Sequence, residues 1–222
     1  MKYLLTAAFA LSLFAVACED PAANKAKATV SEPSANSAPN SPSGSNAAAI
    51  QAAKGEALVI NGENSKVEFT GSKVTGKHDG GFKTFTGTID LVNGKPANSS
   101  VYVDIDAGSV FTDDEKLTGH LKSADFFDVA KFPKATFRSK SIEADSAKGP
   151  DGYTVTGDFS LHGVTKSISF PATIKAGPES VDVDAEFAVN RKDFGIVYTG
   201  TADDLIRDDV VIRLNLRAPR KK

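Results

Sequence analysis

The sequence has almost no sulfur and no tryptophan. Cys18 is the single cysteine in 222 residues, and Trp is absent. A chain with one cysteine cannot form an internal disulfide, so its stability in an oxidising compartment must come from burial. An excess of one charge is also lacking, because 26 basic residues stand against 28 acidic ones. This balance argues against a nucleic-acid partner and against a polybasic membrane surface.

The motifs of common enzyme classes are missing too. The sequence contains no Gly-x-Ser-x-Gly, Walker loop or dinucleotide fingerprint. His78, His120 and His162 lack the i, i+2 or i, i+4 spacing that would place two metal ligands together. The acidic runs 113–115 and 203–204 lack the ligand spacing and the glycine of a calcium loop. We therefore predict a protein that is not an enzyme and that uses no metal or cofactor.

Residues 1–17 have the pattern of a bacterial lipoprotein signal peptide. A basic start precedes residues 4–16, which carry no charge and are too few to span a bilayer as a stable helix. Cys18 follows a small residue, as in the lipobox, where the cysteine becomes the first mature residue and carries acyl chains. We predict lipid attachment at Cys18 and a place in the cell envelope, on the periplasmic side of the inner or outer membrane. Ordinary secretion is the alternative, since Ala15 stands where the lipobox usually has leucine.

Residues 18–55 are rich in Ala, Ser, Pro and Asn and carry almost no large apolar side chain. Such a segment cannot bury enough apolar area to offset the entropy lost on ordering. We predict a disordered tether. Its typical reach would be roughly 30 to 36 Å for a flexible chain of this length.

Residues 56–218 alternate apolar and polar side chains with a period of two, which is typical of strands that are buried on one face. Turn signals such as 93–94, 151–152 and 177–178 separate the strands. About eight antiparallel strands of this kind must stack as two sheets or close into a barrel. The expected inward faces are Phe85–Leu91, Val101–Ile105, Tyr153–Leu161, Ile168–Ile174, Val181–Val189 and Val210–Leu216, each read at every second residue.

The inward-facing side chains carry no acid, and Lys166 near a strand end is their only ionisable group. Such an interior cannot perform general acid–base or nucleophilic catalysis. It mixes large rings with small residues such as Gly87 and Gly157. The small residues either accommodate bulky neighbours or leave room for one apolar ligand, and alternation alone does not decide between these two readings.

The long connection 112–133 predicts a lid. Thr112-x-x-Glu115 is a capping-box spacing, so a short helix should begin there and end at about Leu121. Phe126 and Phe127 are adjacent, and two adjacent rings cannot both point into one core. We expect one ring to face the barrel interior and the other to pack on the rim of the barrel.

Five stretches resemble the YceI-like family of periplasmic lipid-binding proteins. They are Ile105–Thr112, His120–Asp128, Phe132–Phe137, Gly157–Lys166 and Asn190–Ile196. The resemblance implies an all-β, antiparallel, lipocalin-like β-barrel over 56–218, with the short helical lid. It also implies an apolar interior that holds an isoprenoid lipid or a quinone tail. The predicted ligand contacts are Phe85, Ile89, Val103, Phe126, Phe127, Phe137, Phe159, Phe170 and Phe187.

The sequence as a whole predicts a membrane-tethered periplasmic protein that sequesters or carries an isoprenoid-type ligand in its barrel. The alternative is a non-enzymatic envelope interaction or stress protein whose barrel is filled by its own side chains. Whether the protein forms a homodimer is left open.

Overall fold

The structure of the chain, a computed structural model, describes residues 19–33 and 55–220. Within these ranges no helix is long and apolar enough to cross a bilayer. The whole predicted signal peptide, Cys18 and residues 34–54 of the predicted tether lie outside the described residues. The strands are β1 (Thr29–Ser31), β2 (Glu56–Asn61), β3 (Lys66–Ser72), β4 (Lys77–Phe82), β5 (Phe85–Leu91), β6 (Ser100–Asp106), β7 (Val110–Thr112), β8 (Lys134–Ala144), β9 (Gly152–Leu161), β10 (Val164–Ala176), β11 (Ser180–Asn190), β12 (Gly200–Thr201), β13 (Asp204–Leu205) and β14 (Asp209–Pro219), and the helix is α1 (Glu115–Leu121).

Twelve of these strands form one strongly curled antiparallel sheet, in which eleven follow one another in order and β1 pairs with β10. Their order is β2-β5-β6-β8-β9-β10-β11-β14-β3-β4-β7, and β12 and β13 form a separate small hairpin. The all-β antiparallel class with one short helix is confirmed. A closed barrel of about eight strands is wrong, because β2 and β7 are the two ends of the hydrogen-bonded order. The apolar face is buried by curling of the sheet and by the helix that covers one end, so full closure is not required.

The first half of β10 is not paired with β11. Pairing between them runs only from Ala176 with Val181 to Thr173 with Asp184. Gly177 donates its N–H to the carbonyl oxygen of Ser180. Because backbone groups alternate along a strand, residues 175, 173 and 171 of β10 also direct their N–H and C=O groups towards β11. Pro171 belongs to that set and has no N–H to donate, which ends the ladder.

Residues 19–33 fill the gap between these two strands. β1 pairs antiparallel with residues 167–169 of β10, and on its other side Ala28 donates its N–H to the carbonyl oxygen of Ala188, 2.8 Å away. Ala22 is 1% exposed and packs with Ala188 and Val211. The predicted tether is therefore wrong for 19–33. Ala22 is buried because it packs against side chains of β11 and β14, while β1 occupies the gap in the split sheet. Residues 34–54 are not among the residues that the structure describes.

Glycines on the inner face accommodate neighbouring side chains. A Cβ on Gly157 would stand 2.6 Å from the ring of Phe137, and one on Gly87 would stand 2.8 Å from Ile60. Both distances are too short for real atoms, so these glycines are places where bulky neighbours fit against the sheet.

Candidate functional site

A cavity of about 570 Å³ runs through the curled sheet. Its wall is mostly aliphatic and aromatic and comes from the inner faces of β3, β5, β6, β8, β9, β10, β11 and β14. Strand registers order the wall, since Val183 lies opposite Leu216 and Phe187 opposite Ile212. Leu91 and Val181 stand near one end, and Phe126 and Phe127 near the other. We call this second end, formed by α1, the β3–β4 turn and residues 196–206, the mouth.

Aromatic rings form part of the cavity wall on β8, β9, β10 and β11. Phe170 stacks on Phe187 with ring centroids 4.2 Å apart, and its other neighbour Phe137 lies at 5.7 Å. Phe159 meets Phe194 edge to face at 5.1 Å. These contacts hold the rings against the wall, so the space between opposite walls stays open.

Helix α1 begins two residues after the predicted start, because its N-cap is Asp114 and not Thr112. Asp114 is its N-cap and accepts a 2.9 Å hydrogen bond from the Leu117 N–H, whereas Thr112 bonds the Thr118 hydroxyl and the Asp114 carbonyl oxygen. That backbone bond lowers the pKa of Asp114. An ionised carboxylate is favourable at a helix N-terminus, so the cap stays in place at neutral pH.

The two adjacent phenylalanines have different surroundings. Phe126 is 7% exposed and packs into a cluster with Phe69, Leu121 and Ile196. Phe127 is only partly buried and lies 5.7 Å from the ring of Phe82. Both residues line the cavity at the mouth. The lid is thus anchored by one ring, while the other is the more accessible.

Residues 196–206 were missed as part of the site. Ile196, Tyr198 and Ile206 line the mouth, and the ring of Tyr198 lies 5.4 Å from that of Phe126. This segment shows no period-two alternation, because it is mostly a loop and its only strands, β12 and β13, have two residues each. The one sequence signal near this segment is Arg191, a charged residue that directly follows the apolar alternation of β11.

Arg191 pins this segment to the body of the protein. Its guanidinium is 5% exposed and donates to the carbonyl oxygens of Ile196 at 2.7 Å and Arg207 at 3.1 Å. It also meets the Asp208 carboxylate at 3.3 Å. Burial lowers the pKa of Arg191, although such a guanidinium remains protonated. The segment that closes the mouth is therefore fixed at both ends by one buried cation.

Most charged groups of the cavity wall lie at the mouth or next to it, and Glu68 of β3 also lines the cavity. Lys73 pairs with Asp204 at 2.6 Å, and His120 bonds Asp125 at 2.8 Å. The hydrogen bond from Lys73, followed by that from Thr75, lowers the pKa of Asp204. Lys166, expected inside, instead pairs with Glu32 of the N-terminal segment.

The three histidines have separate partners. His78 bonds Asp113 at 2.9 Å and His162 lies 3.2 Å from the Phe194 carbonyl oxygen. Among residues 19–33 and 55–220 no group of three or more His, Cys, Asp or Glu could hold a metal ion.

The cavity brings together most of the predicted ligand contacts. Those that line it are Ile89, Val103, Phe126, Phe127, Phe137, Phe159, Phe170 and Phe187. Phe85 is buried at 4% exposure but is not part of the cavity wall, because its ring packs towards the β2–β3 turn near Gly62. Contact of these residues with a ligand stays a prediction.

A curled all-β sheet around an apolar cavity, with most of the charged wall residues near one end, defines a class of all-β protein with an internal apolar pocket. The YceI-like domain profile matches residues 58–218. The chain belongs to the YceI-like family.

Relatives agree with this assignment. A UPF0312 protein of Pseudomonas putida strain W619 is 34% identical over 139 residues, which cover 60% of this chain and 71% of the relative. The crystal structure of BcnA from Burkholderia cenocepacia has a TM-score of 0.63 at 25% identity, and covers 72% of this chain and 99% of that one. A polyisoprenoid binding domain from Saccharophagus degradans has a TM-score of 0.58 at 18% identity, covering 75% and 100%, and shows the same fold.

Proposed function

We propose that the protein binds the apolar chain of an isoprenoid-type lipid or quinone inside its cavity, and that it sequesters or carries this ligand. The observation that carries the proposal is the space of about 570 Å³ inside an otherwise buried core. Pockets for small ligands commonly have about 300 to 1,000 Å³. An interior packed like most protein cores would leave no such void.

The energetics permit tight binding without a charged contact. Burying about 400 Å² of ligand surface gains about 10 kcal/mol at about 25 cal/mol per Å², before the cost of immobilisation. The alternative, an envelope interaction protein with a filled interior, requires side chains in the space that the cavity occupies. The cavity therefore favours carriage.

A ligand that copurifies with the protein tests the proposal. Organic extraction of the purified full chain followed by mass spectrometry should release an isoprenoid compound. Val103→Phe places a ring in the cavity and should remove this compound from the extract. Val59→Phe makes the same change on the outward face of β2, where the side chain is 55% exposed, and should leave it in place. Repeated absence of any apolar compound from the wild-type extract would overturn the proposal.

We also propose that residues 1–17 direct export and that Cys18 carries the lipid anchor on the periplasmic side of the inner or outer membrane. The support is the sequence pattern alone. Mass spectrometry of the N-terminal peptide should find acyl chains on Cys18, and Cys18→Ser should release the protein from the membrane fraction. An unmodified Cys18 thiol in the mature protein would contradict the anchor.

A further inference from the structure

Exposed apolar side chains lie along one side of the mouth of the cavity. In the described ranges four large apolar residues are exposed, namely Val59, Val74, Val197 and Leu205. Val59 lies on β2, and the other three lie in the two segments that form the mouth. Scattered exposed apolar residues are ordinary, but a group around one opening marks an interaction surface. We call Val74, Val197 and Leu205 the rim.

The rim points away from the cavity. Each rim residue adjoins a wall residue in the sequence: Lys73 precedes Val74, Ile196 precedes Val197 and Asp204 precedes Leu205. The wall residues line the cavity and the rim residues do not. The same short segments thus present one set of side chains to a ligand and another to the outside.

The rim is held in a fixed shape. Val74 donates its N–H to the carbonyl oxygen of Leu205, 3.1 Å away, and the Lys73–Asp204 pair joins the same two segments. Arg191 holds the Ile196 carbonyl oxygen next to Val197. The exposure of these side chains is therefore built into the mouth and is not a feature of a loose loop.

The N-terminal segment begins beside the rim. Arg207, two residues after Leu205, meets the Asp20 carboxylate at 3.4 Å. Cys18 is two residues before Asp20, a distance that an extended chain covers in at most about 7 Å. The apolar run 4–16, which by its sequence leads the chain to a membrane, precedes it. The part of the chain that meets the membrane is thus joined to the protein at the mouth.

We propose that the rim docks on a lipid bilayer, so that the cavity opens directly towards the membrane and an apolar chain enters without crossing water. Three side chains are too few for a stable protein interface, which needs about 1,000 Å² or more. A shallow apolar contact is enough at a bilayer surface when the chain is already held there. The identity of the cargo rests on the proposed ligand, and the docking rests on the proposed anchor at Cys18, which mass spectrometry of the N-terminal peptide tests separately.

The depth of the rim in vesicles tests the docking. Chains that keep the acylated Cys18, whose thioether sulfur does not react with a thiol label, carry one new cysteine, Val197→Cys or Leu205→Cys at the rim, or Val59→Cys as a control of similar exposure. Each is labelled with bimane and reconstituted into phosphatidylethanolamine–phosphatidylglycerol vesicles that contain a nitroxide lipid. Because the contact lies at the headgroup boundary, quenching at both rim sites should exceed that at 59 by about twofold or more. Equal quenching at all three sites would overturn the proposal, and equal quenching with rim-to-rim crosslinks would assign the rim to self-association.

The rate of loading separates docking from ligand binding. A combined Val74→Ser, Val197→Ser and Leu205→Ser variant should take up a dansyl-labelled farnesyl probe from the same vesicles about tenfold or more slowly, because three apolar contacts are lost. Val59→Ser should load at the wild-type rate. Probe delivered from detergent micelles should bind all forms equally. Wild-type loading by the triple variant would overturn a role for the rim, whereas failure of the wild type to bind from micelles would contradict the proposed function and leave the quenching result to decide docking.

Discussion

Phe170 and Phe187 stack face to face, with ring centroids 4.2 Å apart and ring planes inclined by 14°. They belong to β10 and β11 beyond the point where the hydrogen bonds between these strands end. At this level the two strands are joined by rings on the inside and by the N-terminal segment on the outside. The two stacked rings therefore form part of the cavity wall and also hold β10 and β11 together where these strands are not hydrogen-bonded to each other.

Replacement of Phe187 should affect both stability and ligand binding. Phe187→Leu and Phe85→Leu each shorten a buried ring, so each should lower the free energy of unfolding by about 1 to 3 kcal/mol. Only Phe187 lines the cavity, so only Phe187→Leu should change the affinity for the dansyl-labelled farnesyl probe. Urea denaturation and fluorescence titration measure the two effects. Equal changes of affinity in both variants would show that binding follows overall stability.

The N-terminal segment, residues 19–33, should detach from the sheet when a charge replaces the buried side chain of Ala22. Ala22 is buried against Ala188 and Val211, and an isolated charge cannot be buried there without a partner. In Ala22→Asp the amide protons of Ala28 and Ala188, which bond Ala188 and Ala26, should exchange faster, as measured by hydrogen exchange and mass spectrometry. Ala23→Asp introduces the same charge at the exposed neighbouring position and should leave exchange unchanged. Unchanged protection in Ala22→Asp would contradict the docked strand.

Acid should loosen the mouth through Asp204. Its pKa is lowered in the folded protein by Lys73 and Thr75, so its ionised form stabilises the fold at neutral pH. This contribution is present above the unfolded pKa of about 4 and is lost as pH falls through the lower folded value. Asp204→Asn should therefore lower the melting temperature at neutral pH, and the difference from the wild type should shrink below about pH 4.

Asp203→Asn provides the control, because Asp203 is the exposed neighbour on the same hairpin. Thermal unfolding followed by circular dichroism at several pH values measures the effect. If the difference in melting temperature between the wild type and Asp204→Asn stayed constant as the pH falls below about 4, the carboxylate charge would not be what joins the β3–β4 turn to residues 196–206.

The strands that wall the cavity could be predicted because each is apolar on one side. Alternation gave the correct inward face for Ile89, Val103 and Phe187, since a sheet with one buried face imposes a period of two. The position of Phe85 at the edge of the core could not be predicted, because the same alternation continues past the end of the cavity. Periodicity identifies the side of a strand that is buried but not what lies opposite it.

The N-terminal strand and the mouth depend on contacts that are distant in the sequence. Ala22 and Val30 are surrounded by residues typical of a linker. Ala22 is buried because it packs against Ala188 and Val211, and Val30 is partly buried because β1 occupies the gap that begins at Pro171 in β10. The mouth likewise depends on Lys73 meeting Asp204. Local composition carries no information on such pairings, so residues 19–33 were predicted to be disordered and residues 196–206 were not predicted to be part of the site.

Substitutions of the adjacent residues Phe126 and Phe127 should distinguish the anchoring of the lid from contact with the ligand. Phe126 is buried between Leu121, Ile196 and the ring of Tyr198, so Phe126→Asp buries a charge and should greatly lower the melting temperature. Phe127 is partly buried at the cavity. Phe127→Asp should keep the thermal transition within about 5 °C of the wild type, since its carboxylate can reach water, yet it should lose the apolar ligand because the charge stands in the path of the chain. Phe127→Leu keeps the site apolar and should retain the ligand. Differential scanning fluorimetry and mass spectrometry of organic extracts measure both effects, and unfolding of Phe127→Asp would show that this ring is part of the core.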